Sequence, residues 1–415
     1  MRAASGRVLL VIIIGIVGGI LAIALSAAFD AAWGWFCANP GALWALPAAG
    51  VAELVLYRAL GLPAGFGGED VARAARAGEL VPLALAPAIF AATCLSVACG
   101  ASVGKEAAAV QLCAAAAAGI ALAARRVSGR ACGAVAPGGA RDSGDASASG
   151  GAAFAGAACA DGGLVMQCGM AAGIGALFHA PVTGALMAFE ATGWSVLRGG
   201  RSSAARAGCV LLASACAAAV AVVIEGRALL PGTISSLVFA QGVPVAGWAL
   251  LFGVVLVCAA SGALYRVALR GVHAALARMN CLVGGRDVMP FAIVAVGGLA
   301  LACAADGLGL QACGGSGFDL LPAAFAGAAT PALVAAKMLL TMGALACGLK
   351  GGEIMPALVI GALLGSALAS AAGAPASFAP QAAAAGMLAF LAAARSCPLS
   401  ACALGVELLV LPALL

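Results

Sequence analysis

Lys350-Gly351-Gly352-Glu353-Ile354-Met355-Pro356 stands between two apolar runs, LVAAKMLLTMGALACGL (333–349) and ALVIGALLGSALA (357–369). A carboxylate, a glycine pair and a proline interrupt chain that otherwise reads as membrane-embedded helix. Glycine loosens the backbone and proline suits the first turn of a new helix, so the stretch reads as a helix break followed by a helix start. In hydrocarbon, the unpaired N–H groups and positive dipole end of such a start need a partner.

The rest of the chain supports the membrane reading. Of 415 residues, 64% are hydrophobic and 9% charged, with mean hydropathy +1.13, whereas soluble domains carry about a quarter charged residues. Apolar blocks from Val8, Gly247 and Ala292 span or nearly span a bilayer, which takes ~20 helical residues. The fold class is therefore an all-α polytopic membrane protein. The first block follows MRAASGR; it exceeds a signal-peptide core and similar blocks recur, so it is the first membrane helix. Arg2 and Arg7 favour a cytoplasmic start. The net charge of +5 fits basic inner loops and gives no reason to expect nucleic acid.

The 16 cysteines are scattered through apolar runs with no CxxC pair, and the two histidines, His179 and His273, are far apart. No metal, cofactor or disulfide framework is expected from these spacings. An enzyme is disfavoured because no nucleophile stands with a partner base. Residues 125–163 are rich in Gly, Ser and Ala and read as a flexible surface loop.

An internal repeat organises the remainder. GMAAGIGALFHAPVTGALMAFE starts at Gly169 and GMLAFLAAARSCPLSACALGVE at Gly386; each has a proline 12 residues after its glycine and a glutamate 9 residues after the proline. This pairs Pro181 with Pro398 and Glu190 with Glu407. A weaker pair, Gly104 onward and Gly352 onward, stands in the same order. Duplicated halves with broken helices at matching positions are the sequence pattern of repeat-built transporters, in which half-helix N-termini meet near the bilayer midplane. The halves are 1–224, carrying the 125–163 loop, and 225–415.

Three breaks have the form of a helix start in the membrane: ASVGKE (101–106), KGGEIMP and GFGGED (65–70). Facing one another, such termini make a site for a small anion, which glycine lets the backbone approach closely. Candidate anion-binding residues are Gly67, Gly68, Gly104, Lys105, Gly352, Ile354 and Met355. Glu106 beside such a site mimics the anion when ionised and leaves when protonated; the competing reading is a cap on its own helix. Lys105 and Lys350 either add positive potential or extend their heads to the surface.

At these residues the sequence resembles the CLC family of chloride channels and chloride/proton antiporters. The family's Gly-x-Glu-Gly-Pro segment, which holds the gating glutamate, matches Gly104-Lys105-Glu106-Ala107-Ala108. Its Asn-Ala-Pro-x-x-Gly segment matches His179 to Gly184, and its Gly-Ile-Phe-Ala-Pro segment matches Gly352 to Pro356. GGSGFDLLP (314–322) is similar to the loop before that segment. Ala109-Val110-Gln111 and the Glu353 motif are similar to the fluoride/proton antiporter branch.

The resemblance implies a CLC-type inverted repeat with broken and re-entrant helices. It also implies a set of partners: a small inorganic anion, protons, the lipid bilayer and a second copy as a homodimer in the plasma membrane. Glu106 is then the gating, proton-exchanging carboxylate and Glu353 the second carboxylate of the anion/proton site. Fluoride export coupled to proton import is the first expectation; a chloride/proton antiporter or channel is the alternative, and a scaffold without transport is the second. The departures are Ala107-Ala108 in place of Gly-Pro, the carboxylates Glu69 and Asp70 in the first loop, and a last family helix that this chain, ending at Leu415, lacks.

Overall fold

A computed structural model describes residues 2–133, 161–195, 203–226, 245–282 and 288–410. Among them the regular structure is helical, apart from one isolated bridge between Gly104 and Gly352. The helices are α1 (Arg2–Ala38), α2 (Leu46–Ala59), α3 (Gly68–Ala77), α4 (Leu85–Ala98) and α5 (Glu106–Gly133). There follow α6 (Gly162–Phe178), α7 (Pro181–Ala191), α8 (Ser203–Glu225), α9 (Val245–Leu282) and α10 (Met289–Gly307). The last are α11 (Leu321–Phe325), α12 (Pro331–Ala346), α13 (Ile354–Ala371), α14 (Ala379–Arg395) and α15 (Pro398–Gly405). Eight of the described helical segments are long and apolar enough to cross a membrane.

The chain divides into two compact units, one of residues 1–23, 67–86 and 109–227, the other of 24–66, 87–108 and 228–415. In the first unit α6 lies against α5 through glycines: a Cβ on Gly169 would meet the Cys113 carbonyl oxygen at 2.6 Å, and one on Gly173 the Ala109 carbonyl oxygen at 2.7 Å. Small residues of this kind let membrane helices approach backbone to backbone. Asp161 caps α6 by accepting from the Leu164 amide at 3.1 Å and pairs with Arg206.

In the second unit the same chemistry joins α13 to α14. Gly361 and Gly365, one turn apart, face the carbonyls of Gly386 and Ala382; added Cβ atoms would lie 2.4 and 2.2 Å from those oxygens. The central position of α13 in this unit leaves most of its residues buried.

Two breaks have the same local form. α6 ends at His179 (φ 52°) and α14 at Ser396 (φ 55°), both left-handed, and each is followed two residues later by the proline that opens the next helix. The residue before a proline is driven out of the helical region, so the break is dictated locally. The Gly-Pro-Glu repeat of the sequence is thus also a repeat of helix, left-handed residue and proline-led helix.

One boundary moves. α5 continues to Gly133 and α6 begins at Gly162, so the Gly/Ser-rich loop assigned to 125–163 is shorter at its start. Alanine and arginine after Ala121 are good helix formers and extend α5. Residues 134–160 lie outside the described residues.

Candidate functional site

The site is built where α5 and α13 begin, within the second unit. Gly104 and Gly352 pair as a two-residue antiparallel bridge, each amide donating to the other's carbonyl at 2.7 Å. The bridge satisfies backbone groups that the helix breaks would otherwise orphan. It also fixes two helix N-termini at one point. The approach is closest to fixed backbone at Gly352, where a Cβ would lie 2.8 Å from the Ala107 amide nitrogen; one on Gly104 would lie 2.5 Å from Glu106 Oε2 and 2.9 Å from Pro356 Cδ.

Glu106, the first residue of α5, is 3% exposed. Its Oε2 accepts from the Met355 amide of α13 at 3.3 Å. The carboxylate therefore sits on a helix N-terminus other than its own, in the place an anion would take. α13 has few such amides to offer. Pro356 has none, and the Ala357 amide already donates to the Glu353 carbonyl at 2.9 Å. Ile354 and Met355, both buried, supply the N–H groups of the first turn.

Glu353 is the N-cap of α13, yet its side chain does not cap the helix. Oε1 pairs instead with Arg395 at the end of α14, and Oε2 is buried without a hydrogen-bond partner.

Of the two lysines at the breaks, Lys105 is ion-paired: its Nζ lies 2.8 Å from each Asp30 carboxylate oxygen and 2.7 Å from Ser26 Oγ. Lys350 turns inward. Its Nζ donates to the carbonyls of Ala64 (2.7 Å) and Phe66 (3.3 Å) and stands 4.3 Å from the centre of the Tyr57 ring. Gly67 and Gly68 open α3 in the first unit, where the Gly67 amide donates to Asp70 Oδ2 at 2.9 Å and Asp70 pairs with Arg73 at 2.8 Å. Asp70 there is a helix cap. The structure thus brings Gly104, Glu106, Gly352, Glu353, Ile354 and Met355 together, with the Lys105 ammonium held by Asp30.

Three ionisable residues of this unit escaped the sequence reading, two of them buried. Glu53, 1% exposed, accepts from Ser96 Oγ at 2.6 Å and from the Lys350 amide at 2.9 Å, tying α2 and α4 to the loop before α13. Lys337, 0% exposed, donates to Ser102 Oγ (2.9 Å) and to the carbonyls of Cys313 (3.0 Å) and Gly315 (2.9 Å). Ser102 bonds Thr341 in turn at 2.8 Å, so the approach to Gly104 is held from α12. The third, Arg395, is exposed and pairs with Glu353. The available signal was an ionisable residue inside an apolar run, such as AAKML around Lys337, which in a membrane needs a partner.

The Glu53 contacts give a stability prediction. Glu53→Ala leaves the Ser96 hydroxyl and the Lys350 amide without their acceptors, at about 1–3 kcal/mol for each buried orphan. The thermal midpoint of the purified protein in detergent should fall by several degrees, with Glu53→Gln falling less because one acceptor remains. Equal midpoints for all three proteins would overturn this assignment.

In this polytopic helical protein two broken helices thus begin at a glycine bridge, with a buried carboxylate seated on one of them. The chain belongs to the CLC family: residues 49–415 match the family described as Voltage gated chloride channel, whose members are anion channels and transporters, not enzymes. No curated protein matches it significantly. Among solved structures it is similar to a CLC-type fluoride/proton antiporter (21% identity, 97% of this chain and 90% of that one, TM-score 0.73). It is equally similar to a slow cyanobacterial Cl−/H+ antiporter (18% identity, 99% and 92%, TM-score 0.73). A eukaryotic CLC transporter follows (15% identity, 98% and 68%, TM-score 0.63). At these identities the likeness is one of fold.

Proposed function

We propose that this protein exports fluoride across the plasma membrane in exchange for inward-moving protons. The observation that carries the reading is the Glu106 carboxylate on the Met355 amide beside the Gly104–Gly352 bridge. An anion arriving at α13 displaces Glu106, which then takes a proton; loss of the proton returns the carboxylate to the amide. Gly104, Gly352, Ile354 and Met355 form the anion-facing backbone in this reading, with Lys105 set back on Asp30. Glu353 is the second proton-exchanging carboxylate, and its unbonded Oε2 is the oxygen open to the proton. The chain works as a homodimer of two-halved subunits, 1–224 and 225–415.

Fluoride is favoured by Glu353 at the start of α13, the feature shared with the fluoride/proton antiporter branch. A small ion that holds its water tightly needs dense hydrogen bonding, and a protonated carboxyl adds a donor to the backbone amides. Chloride/proton exchange is the second reading, since a Cl−/H+ antiporter has an equally similar fold. Liposomes holding the purified protein and loaded with either sodium fluoride or sodium chloride test the two. Fluoride efflux accompanied by proton uptake, with chloride efflux much slower, is the expected result. Faster chloride efflux would replace fluoride by chloride, and no efflux of either would leave a scaffold.

A further inference from the structure

Glu353 is in the ordinary position to cap α13 and does not do so. An ionised carboxylate next to a helix N-terminus is drawn to its free amides. Something must hold this one away, and the contact is Arg395, 42 residues further along the chain. Arg395 is itself fixed in place. It ends α14, the next residue, Ser396, takes a left-handed conformation (φ 55°), and Ser396 Oγ accepts from Arg266 of α9. It is also the only charged residue in α14, APQAAAAGMLAFLAAAR.

A basic residue in the last turn of a helix complements the helix dipole without any further partner. That alone does not account for a half-buried carboxylate, 14% exposed at its side chain, turned toward it from another helix start. Nor does it account for the division of roles at α13. The Met355 amide is capped by Glu106, a residue 249 positions away, and not by Glu353, two positions away.

We infer that Arg395 is a positioning residue that holds the Glu353 carboxylate off the first-turn amides of α13 and so keeps them available to the anion and to Glu106. This rests on the reading of α13 as the anion site. With Arg395 absent, the ionised Glu353 falls onto the Ile354 and Met355 amides and competes with the anion from within the chain. The protein then carries its own inhibitor. Protonated Glu353 has no such pull, so the pairing matters only while Glu353 is charged.

The test measures fluoride efflux from liposomes as a function of internal sodium fluoride, for wild type, Arg395→Gln, Arg395→Lys, Glu353→Gln and the double variant Arg395→Gln/Glu353→Gln. The half-saturating fluoride concentration should rise about tenfold in Arg395→Gln, the loss of one charged pairing. It should be partly restored in Arg395→Lys. In the double variant it should return to the value of Glu353→Gln alone, because the competing carboxylate has gone. A structural role for Arg395 predicts the opposite: the double variant would be at least as impaired as Arg395→Gln. Should Arg395→Gln not fold, Arg395→Ala compared with its parent in the Glu353→Gln background decides the same point, since there no carboxylate needs a partner; a rise there overturns the inference. A wild type that carries no anion overturns the anion-site reading and the inference together, whereas a wild type and Arg395→Gln of equal half-saturation overturn the inference alone.

Discussion

Glu106→Gln should abolish proton uptake driven by an outward anion gradient, down to the level of protein-free liposomes, while anion efflux continues. The side chain is 3% exposed and rests on the Met355 amide through Oε2. Glutamine keeps the length and one oxygen acceptor, so the fold and the contact to α13 are retained in shape. It cannot take up or release a proton, and its neutral amide no longer imitates an anion. A hydrogen bond from a backbone amide to a charged acceptor is roughly twice as strong as one to a neutral acceptor, so the amide side chain leaves the site more readily than the ionised carboxylate. Anion flux therefore survives and is released from the proton. The measurement is simultaneous recording of anion efflux and external pH on reconstituted protein at matched yield. Proton uptake at the wild-type ratio in Glu106→Gln would remove Glu106 from the exchange and leave it as a structural cap.

Much of this arrangement was legible before the structure. The breaks at Gly104 and Gly352 were visible because glycine and proline act through backbone conformation, which is local. The repeat was visible for the same reason: His179-Ala180-Pro181 and Ser396-Cys397-Pro398 each carry a proline that restarts the helix, and in the structure each exit is left-handed. Glu106 and Glu353 stand at these starts in the sequence itself; the cost of an intramembrane carboxylate marked Glu106 as a functional candidate, while the part of Glu353 in an anion site was implied only by the family resemblance. What could not be read was which carboxylate takes which amide. Glu106 lies on Met355, Glu53 on Lys350 and Glu353 on Arg395, and each of these pairings joins residues far apart in sequence. Lys350 shows the limit clearly. Its neighbours suggested a surface-seeking head or a potential beside the anion, and its ammonium instead binds the carbonyls of Ala64 and Phe66. Carbonyl oxygens are present at every residue, so no residue type in the sequence marks them as partners. The start of the 125–163 loop was misplaced because composition averages over a window, while the helix continues for as long as its next residue permits.

The two glycines of the bridge should respond to alanine in opposite ways, although they exchange the same pair of hydrogen bonds. At Gly352 the new Cβ would stand 2.8 Å from the Ala107 amide nitrogen, 2.9 Å from Ala107 Cβ and 3.3 Å from the Gly104 carbonyl oxygen. These neighbours are backbone atoms and a Cβ at the start of α5, and none can rotate away. Gly352→Ala must therefore separate the two helix starts and break the two 2.7 Å bonds, leaving buried backbone groups unpaired at about 1–3 kcal/mol each. Thermal stability in detergent and anion efflux should fall together. At Gly104 the nearest atom is Glu106 Oε2, 2.5 Å away, with Pro356 Cδ next at 2.9 Å. A carboxylate oxygen is the far end of a flexible side chain and can swing aside, whereas the Pro356 ring and the Gly352 carbonyl oxygen, 3.3 Å away, must each yield slightly. Gly104→Ala should thus keep the fold and displace the Glu106 carboxylate from the Met355 amide. Its transport should resemble that of Glu106→Gln, with anion efflux retained and proton uptake much reduced, and its thermal midpoint should stay well above that of Gly352→Ala. If Gly352→Ala keeps the wild-type midpoint and efflux, the bridge does not set the spacing of the two helix starts. If Gly104→Ala couples protons as the wild type does, the seat of Glu106 on α13 is not what links the proton to the anion.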